Sequence, residues 1–191
     1  MRLRRAASQL LVIDTQERLL PHVANPAATA AMIVRMVQYA GRLAVPVTLV
    51  EHNPEGLGAI ITPVVEAARR LTVPAPRLRK MTFSCWGEPS LRERIGGLAR
   101  EEGRRQVVAV GLEAHVCVAQ TVLDLVAADL DVYLVLDATS SRREQDLELA
   151  TARMRQAGAA IVSSEMVAFE WLERAGTTEF KDVLELIRDR P

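Results

Sequence analysis

The sequence has few cysteines, few aromatic residues and no excess of either charge. Its 191 residues include two cysteines and three histidines, and aromatic residues make up only 4% of the chain. Two cysteines do not make the disulfide framework of a small secreted protein, so a reducing cytoplasm is the expected location. Equal numbers of basic and acidic residues, 24 of each, provide no long-range field to attract nucleic acid or an anionic membrane surface.

Long hydrophobic runs are also absent. No uninterrupted apolar run approaches the roughly 18 residues that a membrane span requires. The opening MRLRRAASQLLVID is basic and then apolar, but it reaches Asp14 quickly and has no cleavage region, so it makes a poor signal peptide. The remaining composition, 49% hydrophobic and 25% charged, is ordinary for a globular protein. It predicts a single domain over residues 1–191.

Short apolar runs alternate with longer segments of helical period. The predicted strands are QLLVIDT, VPVTLVEH, RLRKMTFS, RQVVAVGL, VYLVLDAT and AAIVSS. Helices are expected between them over about residues 27–44, 60–70, 88–101, 116–130 and 144–157, with two more after the last strand. The pattern predicts an α/β fold, a doubly wound and mainly parallel six-stranded sheet with helices on both faces.

Three polar residues lie at the predicted strand ends. Asp14 ends the first strand, Lys80 ends the third, and Cys117 follows the fourth at the start of its helix. Ligands of doubly wound sheets bind at the carboxyl ends of the strands, so these side chains are expected to converge. Taken singly, each also has an ordinary structural role: a turn cap, a solvated lysine and a buried cysteine.

Together the three residues predict an acyl-transfer site. A helix N-terminus and a nearby ammonium both lower the pKa of a thiol, which would favour a Cys117 thiolate. Asp14 would act as the base, and Lys80 would keep the aspartate ionised. Backbone N–H groups at Cys117 and just before it would receive the oxyanion.

The same residues resemble a known family. LLVIDTQ, the lysine of RKMTFSCW, and GLEAHVCVAQTVLDLVAADLDVYLVLDATSSR are similar to the isochorismatase-like cysteine hydrolases, which include nicotinamidases and N-carbamoylsarcosine amidases. The resemblance spans about residues 9–171 and implies the catalytic set Asp14, Lys80 and Cys117. It also implies a cis peptide at Leu112-Glu113, with the backbone N–H groups of Glu113 and Cys117 as the oxyanion hole.

Two departures narrow what the resemblance implies. Nicotinamidases carry an Asp-x-His metal motif after the second strand, where this sequence has Glu51 and Asn53 around His52. A histidine beside a carboxylate is more typical of a pocket wall, so no metal, no cofactor and no nicotinamidase activity are expected. Isochorismate-cleaving members do not depend on a cysteine nucleophile, so an intact Cys117 argues against that reaction. The EHNPEGLG stretch resembles an uncharacterised branch of the family.

Further residues are candidates for the pocket walls. Phe83 and Trp86 follow Lys80 closely, and either cover a small planar substrate or pack their loop onto the core. Polar contacts are expected from four residues, namely Gln16, His52, His115 and Thr139. Because residues i and i+2 of a helical turn point apart, His115 is interpreted as a wall residue and not as the base for Cys117. Cys85 is interpreted as a structural thiol.

An apolar excess near the C-terminus indicates association. The stretch EMVAFEWLERAG holds five large apolar residues: Met166, Val167, Phe169, Trp171 and Leu172. This exceeds what a one-sided helix buries, so part of it is expected to form a contact in a homo-oligomer, as is common in the family.

The sequence therefore predicts a cytoplasmic, homo-oligomeric hydrolase that cleaves a C–N bond of a small amide or carbamate through a thioester. Neither nucleic acid nor membrane is an expected partner. Two alternatives on the same fold remain: a binding or scaffold protein whose triad is unused, and a redox-responsive cysteine protein.

Overall fold

A six-stranded sheet runs through the computed structural model, which describes residues 2–188. Its strands are β1 (Ser8–Ile13), β2 (Val47–His52), β3 (Arg77–Lys80), β4 (Gln106–Leu112), β5 (Asp131–Ser140) and β6 (Ala160–Val162). The order across the sheet is β3-β2-β1-β4-β5-β6, and every neighbouring pair is parallel. The prediction of a doubly wound six-stranded sheet is therefore confirmed, and the sheet is parallel throughout.

The strands are continuous apolar runs because helices cover both faces of the sheet. All residues of β1 and β4 are buried. Alternate side chains of β1 enter different cores: Leu10 and Val12 contribute to one, Leu11 and Ile13 to the other. This alternation follows from the two-residue period of a strand.

Eight α-helices are present among residues 2–188. They are α1 (Pro26–Arg42), α2 (Pro54–Leu57), α3 (Thr62–Arg69), α4 (Pro89–Glu101), α5 (Ala119–Ala127), α6 (Glu144–Gln156), α7 (Ser164–Leu172) and α8 (Thr178–Arg188). Helices α1, α3, α7 and α8 contribute to one core, and α4, α5 and α6 to the other.

Three local features depart from the sequence expectation. The stretch after β2, expected as a loop, contains the short helix α2. The helix after β4 begins as a π-helical turn, Ala114–Val118, before it continues as α5. In β5 extra residues bulge out of the ladder, since Ala109 pairs with Leu134 but Gly111 pairs with Thr139.

The strand order reverses between β1 and β4, which is where doubly wound sheets form their binding crevice. The two strands approach closely there because Gly111, at φ 145°, lies against Ile13. A Cβ atom on Gly111 would stand 2.1 Å from the carbonyl oxygen of Ile13. Glycine is therefore required beside the crevice.

Within residues 2–188, none of the helices combines the length and apolar character needed to cross a membrane.

Candidate active site

Three side chains from different strand ends meet beside this crevice. Asp14 directly follows β1, Lys80 is the last residue of β3, and Cys117 lies in the π-helical turn after β4. Asp14 adopts a left-handed conformation with φ 52°, and its N–H donates to the carbonyl of Val50 at 3.1 Å. The chain thus turns sharply at the end of β1 and presents the carboxylate at the edge of the sheet.

Asp14 and Lys80 form a fully buried ion pair. Lys80 Nζ lies 2.8 Å from Asp14 Oδ2, and both side chains have 0% exposure. The same ammonium donates to the carbonyl of Phe83 at 3.0 Å, which fixes its direction. Asp14 Oδ1 is buried and has no hydrogen-bond partner among the described residues, so this oxygen is available to accept a proton.

The two charges of this pair oppose the effects of burial. Burial raises the pKa of Asp14, while the Lys80 charge acts in the opposite direction. Burial alone would lower the pKa of Lys80, but the charge and hydrogen bond of the Asp14 carboxylate oppose this, and the pKa of Lys80 is raised. The ammonium at 2.8 Å favours the ionised carboxylate and so limits the rise of the Asp14 pKa that burial causes.

The Cys117 thiol is buried and interacts with both members of the ion pair. Burial raises the pKa of this thiol, the Asp14 charge raises it further, and the Lys80 charge only partly opposes the increase. The expectation of a lowered thiol pKa is therefore wrong, because desolvation of the thiolate outweighs the nearby ammonium. The resting thiol keeps its proton, and the Asp14 carboxylate is the acidic group that interacts with it.

The turn that carries Cys117 begins at Glu113, which is left-handed with φ 58° and ψ 62°. The N–H of Val116 donates to the Glu113 carbonyl at 2.9 Å and closes the turn. No cis peptide bond occurs among residues 2–188, so the prediction of one at Leu112-Glu113 is wrong. The left-handed residue lies between β4 and the π-helical turn that holds Cys117.

Two side chains from the end of β5 contact this turn. Arg142 forms an ion pair with Glu113, and the pKa of Arg142 is raised by that contact. Ser141 Oγ lies 3.1 Å from His115 Nδ1. His115 is therefore held by the neighbouring loop, which agrees with its interpretation as a wall residue.

Gln16 is a structural link and not an open pocket residue. Its side chain has 0% exposure and accepts from the His52 N–H while donating to the carbonyls of His52 and Gly58. The amide thereby joins the end of β2 to the loop after α2. The Thr139 hydroxyl also makes a hydrogen bond within the protein, because it donates to the Val135 carbonyl within the β5 bulge at 2.8 Å.

His52 has a buried Nδ1 atom in its ring. It is half-buried, and its Nδ1 has no hydrogen-bond partner within the described part of the chain. Burial and the Lys80 charge lower the pKa of His52, so the ring is neutral at pH 7. Its ring centroid lies 5.4 Å from that of Phe83, at an angle of 42°.

Phe83 and Trp86, the two aromatic candidates for the pocket wall, have different surroundings. Phe83 is half exposed beside His52 and Lys80, as expected of a residue at the mouth of the site. Trp86 packs against the core beneath α4, with the Arg92 guanidinium 5.9 Å from its ring. Cys85 is completely buried, and burial raises the pKa of its thiol to about 12, which is consistent with a structural role.

At the position of the nicotinamidase metal motif, Glu51 forms ion pairs with two arginines. Buried Glu51 pairs with Arg77 at 3.6 Å and Arg79 at 3.8 Å, and accepts from the Ile60 N–H. Over residues 2–188, no three His, Cys, Asp or Glu side chains are grouped so as to hold a metal ion.

Sequence reasoning assigned no role to Ser141 and Arg142. They directly follow β5, so the rule that selected Asp14, Lys80 and Cys117 would also have selected them. A second unused signal is the scarcity of lysine: among 24 basic residues only Lys80 and Lys181 are lysines.

Comparison with known proteins identifies the family that shares these features. Residues 8–166 match the isochorismatase domain. Isochorismatase domain-containing protein 2A of Mus musculus is 32% identical over 184 residues, which cover 96% of this chain and 84% of the mouse protein.

Solved structures share the fold. The MAR1 ribonuclease of Caenorhabditis elegans superposes with a TM-score of 0.90 at 31% identity, covering 100% of this chain and 95% of that one. The YcaC gene product of Escherichia coli, described as an octameric hydrolase of unknown specificity, superposes with a TM-score of 0.88 at 21% identity. That match covers 97% of this chain and 90% of the other.

Proposed function

The chain belongs to the isochorismatase family, and from this premise we propose that it is a hydrolase that cleaves a C–N bond of a small amide or carbamate. The observation that carries the proposal is the buried Asp14–Lys80 ion pair in contact with the Cys117 thiol. Two buried charges and a thiol at one strand edge are costly to maintain without a chemical use.

In the first half-reaction, Cys117 Sγ attacks the carbonyl carbon while the thiol proton passes to the Asp14 carboxylate. The carbonyl π electrons move onto oxygen, and backbone N–H groups of Glu113 and Cys117 bind the oxyanion. When the oxyanion collapses, the C–N bond breaks, Asp14 returns the proton to the departing nitrogen, and an acyl thioester remains.

In the second half-reaction, Asp14 takes a proton from water, which attacks the thioester carbonyl. The C–S bond then breaks, the thiolate regains its proton, and the acid leaves. Lys80 stays protonated throughout and keeps Asp14 ionised between the steps. The neutral His52 ring and the half-exposed Phe83 ring next to it form the entrance to the site.

The test is a screen of small amides and carbamates with ammonia detection, followed by three variants. Cys117→Ala and Asp14→Asn should reduce ammonia release to background, because the first removes the nucleophile and the second removes its base. Cys85→Ala is the matched control and should retain activity, since that thiol lies in the core. If Asp14→Asn kept most of the turnover, the assignment of the base would be wrong.

Activity should not depend on a divalent metal, because a thiol attacking with Asp14 as base needs no metal-bound water. Dialysis against a strong chelator, checked by elemental analysis, should leave ammonia release unchanged. Loss of activity that Zn²⁺, Mn²⁺ or Mg²⁺ restores would instead favour a nicotinamidase-like mechanism.

The name of the Caenorhabditis elegans relative raises RNA as a second substrate class. The balance of 24 basic and 24 acidic residues does not favour binding of a polyanion. Incubation with a labelled single-stranded RNA should leave it intact, and cleavage that Cys117→Ala abolishes would reverse this choice.

We also propose that the protein is a cytoplasmic homo-oligomer whose chain folds as a single domain. The half-exposed apolar residues Met166 and Phe169 on α7 support association, as does the octameric state described for the Escherichia coli relative. The continuity of one sheet from β1 to β6 supports a single domain.

A further inference from the structure

Two side-chain contacts join the segment after β5 to the turn that carries Cys117. Arg142 Nε donates to Glu113 Oε1, and Ser141 Oγ lies 3.1 Å from His115 Nδ1. We call these four residues, Glu113, His115, Ser141 and Arg142, the clasp. The clasp contacts the turn that carries Cys117 from the β5 side of β4. Asp14 and Lys80 follow β1 and end β3, which lie on the other side of β4.

The β5 side of the clasp is itself fixed. Ser140 Oγ donates to the Ala24 carbonyl at 2.7 Å, and the Ala24 N–H donates to the Ser141 carbonyl at 2.8 Å. Ser141 has 0% side-chain and backbone exposure taken together, so it is enclosed. Arg142 therefore extends from an anchored segment and not from a free loop.

The turn side of the clasp needs external support. Glu113 is a non-glycine residue in the left-handed region, which is an unfavourable backbone conformation unless its surroundings enforce it. Its side chain is 10% exposed, so its charge is largely removed from water and requires a partner. Arg142, whose side chain is 58% exposed, supplies that partner without touching the Asp14–Lys80 pair.

We propose that Arg142 is a positioning residue that holds Glu113 in its left-handed conformation and so keeps the backbone N–H groups of Glu113 and Cys117 directed at the oxyanion, while Ser141 holds His115 of the same turn. This inference rests on the proposed function, because it assumes that Cys117 attacks a carbonyl. It adds that oxyanion binding, and not thiol reactivity, depends on the clasp.

Two reagents separate oxyanion binding from thiol reactivity without the natural substrate. Iodoacetamide alkylates Cys117 by displacement of iodide at carbon, a step with no oxyanion. Acylation by p-nitrophenyl acetate passes through an oxyanion: the new C–S bond forms, the ester C–O bond breaks, and p-nitrophenolate departs. Background acylation is low because Lys181 is the one lysine besides Lys80, and Cys117→Ala measures what remains.

The variant is Arg142→Met, which keeps the aliphatic stem but removes the charge and donors. The control is Arg143→Met at the neighbouring exposed position. In Arg142→Met we expect the acylation rate of Cys117 to fall about tenfold, because misdirected oxyanion donors stabilise the transition state less. The alkylation rate should change little. The thermal midpoint should fall by a few degrees because Glu113 loses its charge partner, and Arg143→Met should match the wild type in both reactions and in thermal midpoint.

Two further variants test the route of the effect. Arg142→Lys should recover only part of the acylation rate, since an ammonium keeps the charge but not the planar guanidinium geometry. Glu113→Gln should also slow acylation, and adding Arg142→Met to it should cost little more, as expected when both act through one contact.

The outcomes distinguish the inference from the proposed function. If wild-type Cys117 is alkylated but never acylated, the proposed function fails and the inference fails with it. If Cys117 is acylated and Arg142→Met has the wild-type ratio of acylation to alkylation, only the inference is overturned. An equal loss of both rates would also overturn it, because the clasp would then act on the thiol itself.

Discussion

The two oxygens of the buried Asp14 carboxylate have different surroundings. Oδ2 accepts from Lys80 at 2.8 Å, while Oδ1 lacks a hydrogen-bond partner within residues 2–188. A buried carboxylate with one oxygen paired and the other free is stable as an anion and still basic. We propose that this division lets Asp14 remain charged and exchange protons with Cys117.

Lys80→Met should destabilise the protein because it leaves the Asp14 charge buried without a partner. We expect a loss of about 3–5 kcal/mol in the free energy of unfolding at neutral pH, measured by urea denaturation. Without the ammonium, the folded-state pKa of Asp14 rises further above 3.8, so the folded form binds the proton more tightly than the unfolded form. The loss should therefore shrink as pH falls through that raised pKa.

Lys181→Met is the matched control for that measurement. Lys181 is exposed on α8, far in sequence from the site, and its replacement should change stability by less than about 0.5 kcal/mol. Equal, small effects of the two substitutions would show that the buried ion pair has no energetic role.

Alkylation of Cys117 by iodoacetamide should increase with pH without a plateau below pH 9.0, the ordinary pKa of a cysteine thiol. Burial and Asp14 raise the pKa of this thiol, so the thiolate fraction is small at neutral pH and grows about tenfold per pH unit. Mass mapping would compare Cys117 with the fully buried Cys85, which should react more slowly. A plateau in the Cys117 rate near neutral pH would reveal a preformed thiolate and contradict the assignment of Asp14 as base.

At the scale of elements, the contact between β1 and β4 determines the shape of the site. Asp14 follows β1, and the turn bearing Cys117 follows β4, so the separation of these strands controls the distance between Asp14 and Cys117. Gly111 permits the close approach at the last paired position, opposite Ile13. The left-handed Glu113 then joins β4 to the turn that carries Cys117.

Gly111→Ala should weaken both folding and activity. Its Cβ would lie 2.1 Å from the Ile13 carbonyl oxygen, and its φ of 145° is strained for alanine. We expect a cost of about 3 kcal/mol from overpacking and backbone strain, with slower acylation of Cys117. Gly97→Ala within α4 is the control, since its Cβ meets no atom closer than 3.9 Å. It should stabilise the helix by up to about 1 kcal/mol, and a harmless Gly111→Ala would disprove the close-approach argument.

At the scale of the whole molecule, the apolar C-terminal stretch serves two purposes. Val167, Trp171 and Leu172 are buried against the sheet, and the Trp171 indole donates to Ser8 Oγ at 2.9 Å. Met166 is 48% exposed and Phe169 is 43% exposed. Three of the five apolar residues of this stretch therefore belong to the core of the chain, and the two exposed ones are the part available for association.

Phe169→Glu should reduce the mass measured by light scattering at micromolar concentration, because it places a charge in the proposed contact. Leu149→Glu is the matched control, as Leu149 is another exposed apolar residue, 63% exposed on α6. The control should leave the mass unchanged. A wild-type protein of 21.0 kDa in solution would rule out the homo-oligomer.

The amino-acid sequence alone determined the sheet, the strand ends and the three residues that meet there. Apolar runs such as QLLVIDT and RQVVAVGL are long enough and uniform enough to be strands buried on both faces. Because parallel strands end at one edge, Asp14, Lys80 and Cys117 could be placed together before any distance was known. Strand pattern is a local property, and local properties are readable along the chain.

The tertiary structure decided how those residues behave. The direction of the Cys117 pKa shift depends on whether desolvation or the Lys80 charge is larger, and spacing in the sequence contains neither burial nor distance. The same reason explains why Gln16 proved to be a link between loops, why Trp86 packs against α4, and why Arg142 reaches Glu113. Each of these contacts joins residues that are distant along the chain or compete for the same space, so only the packed fold selects among them.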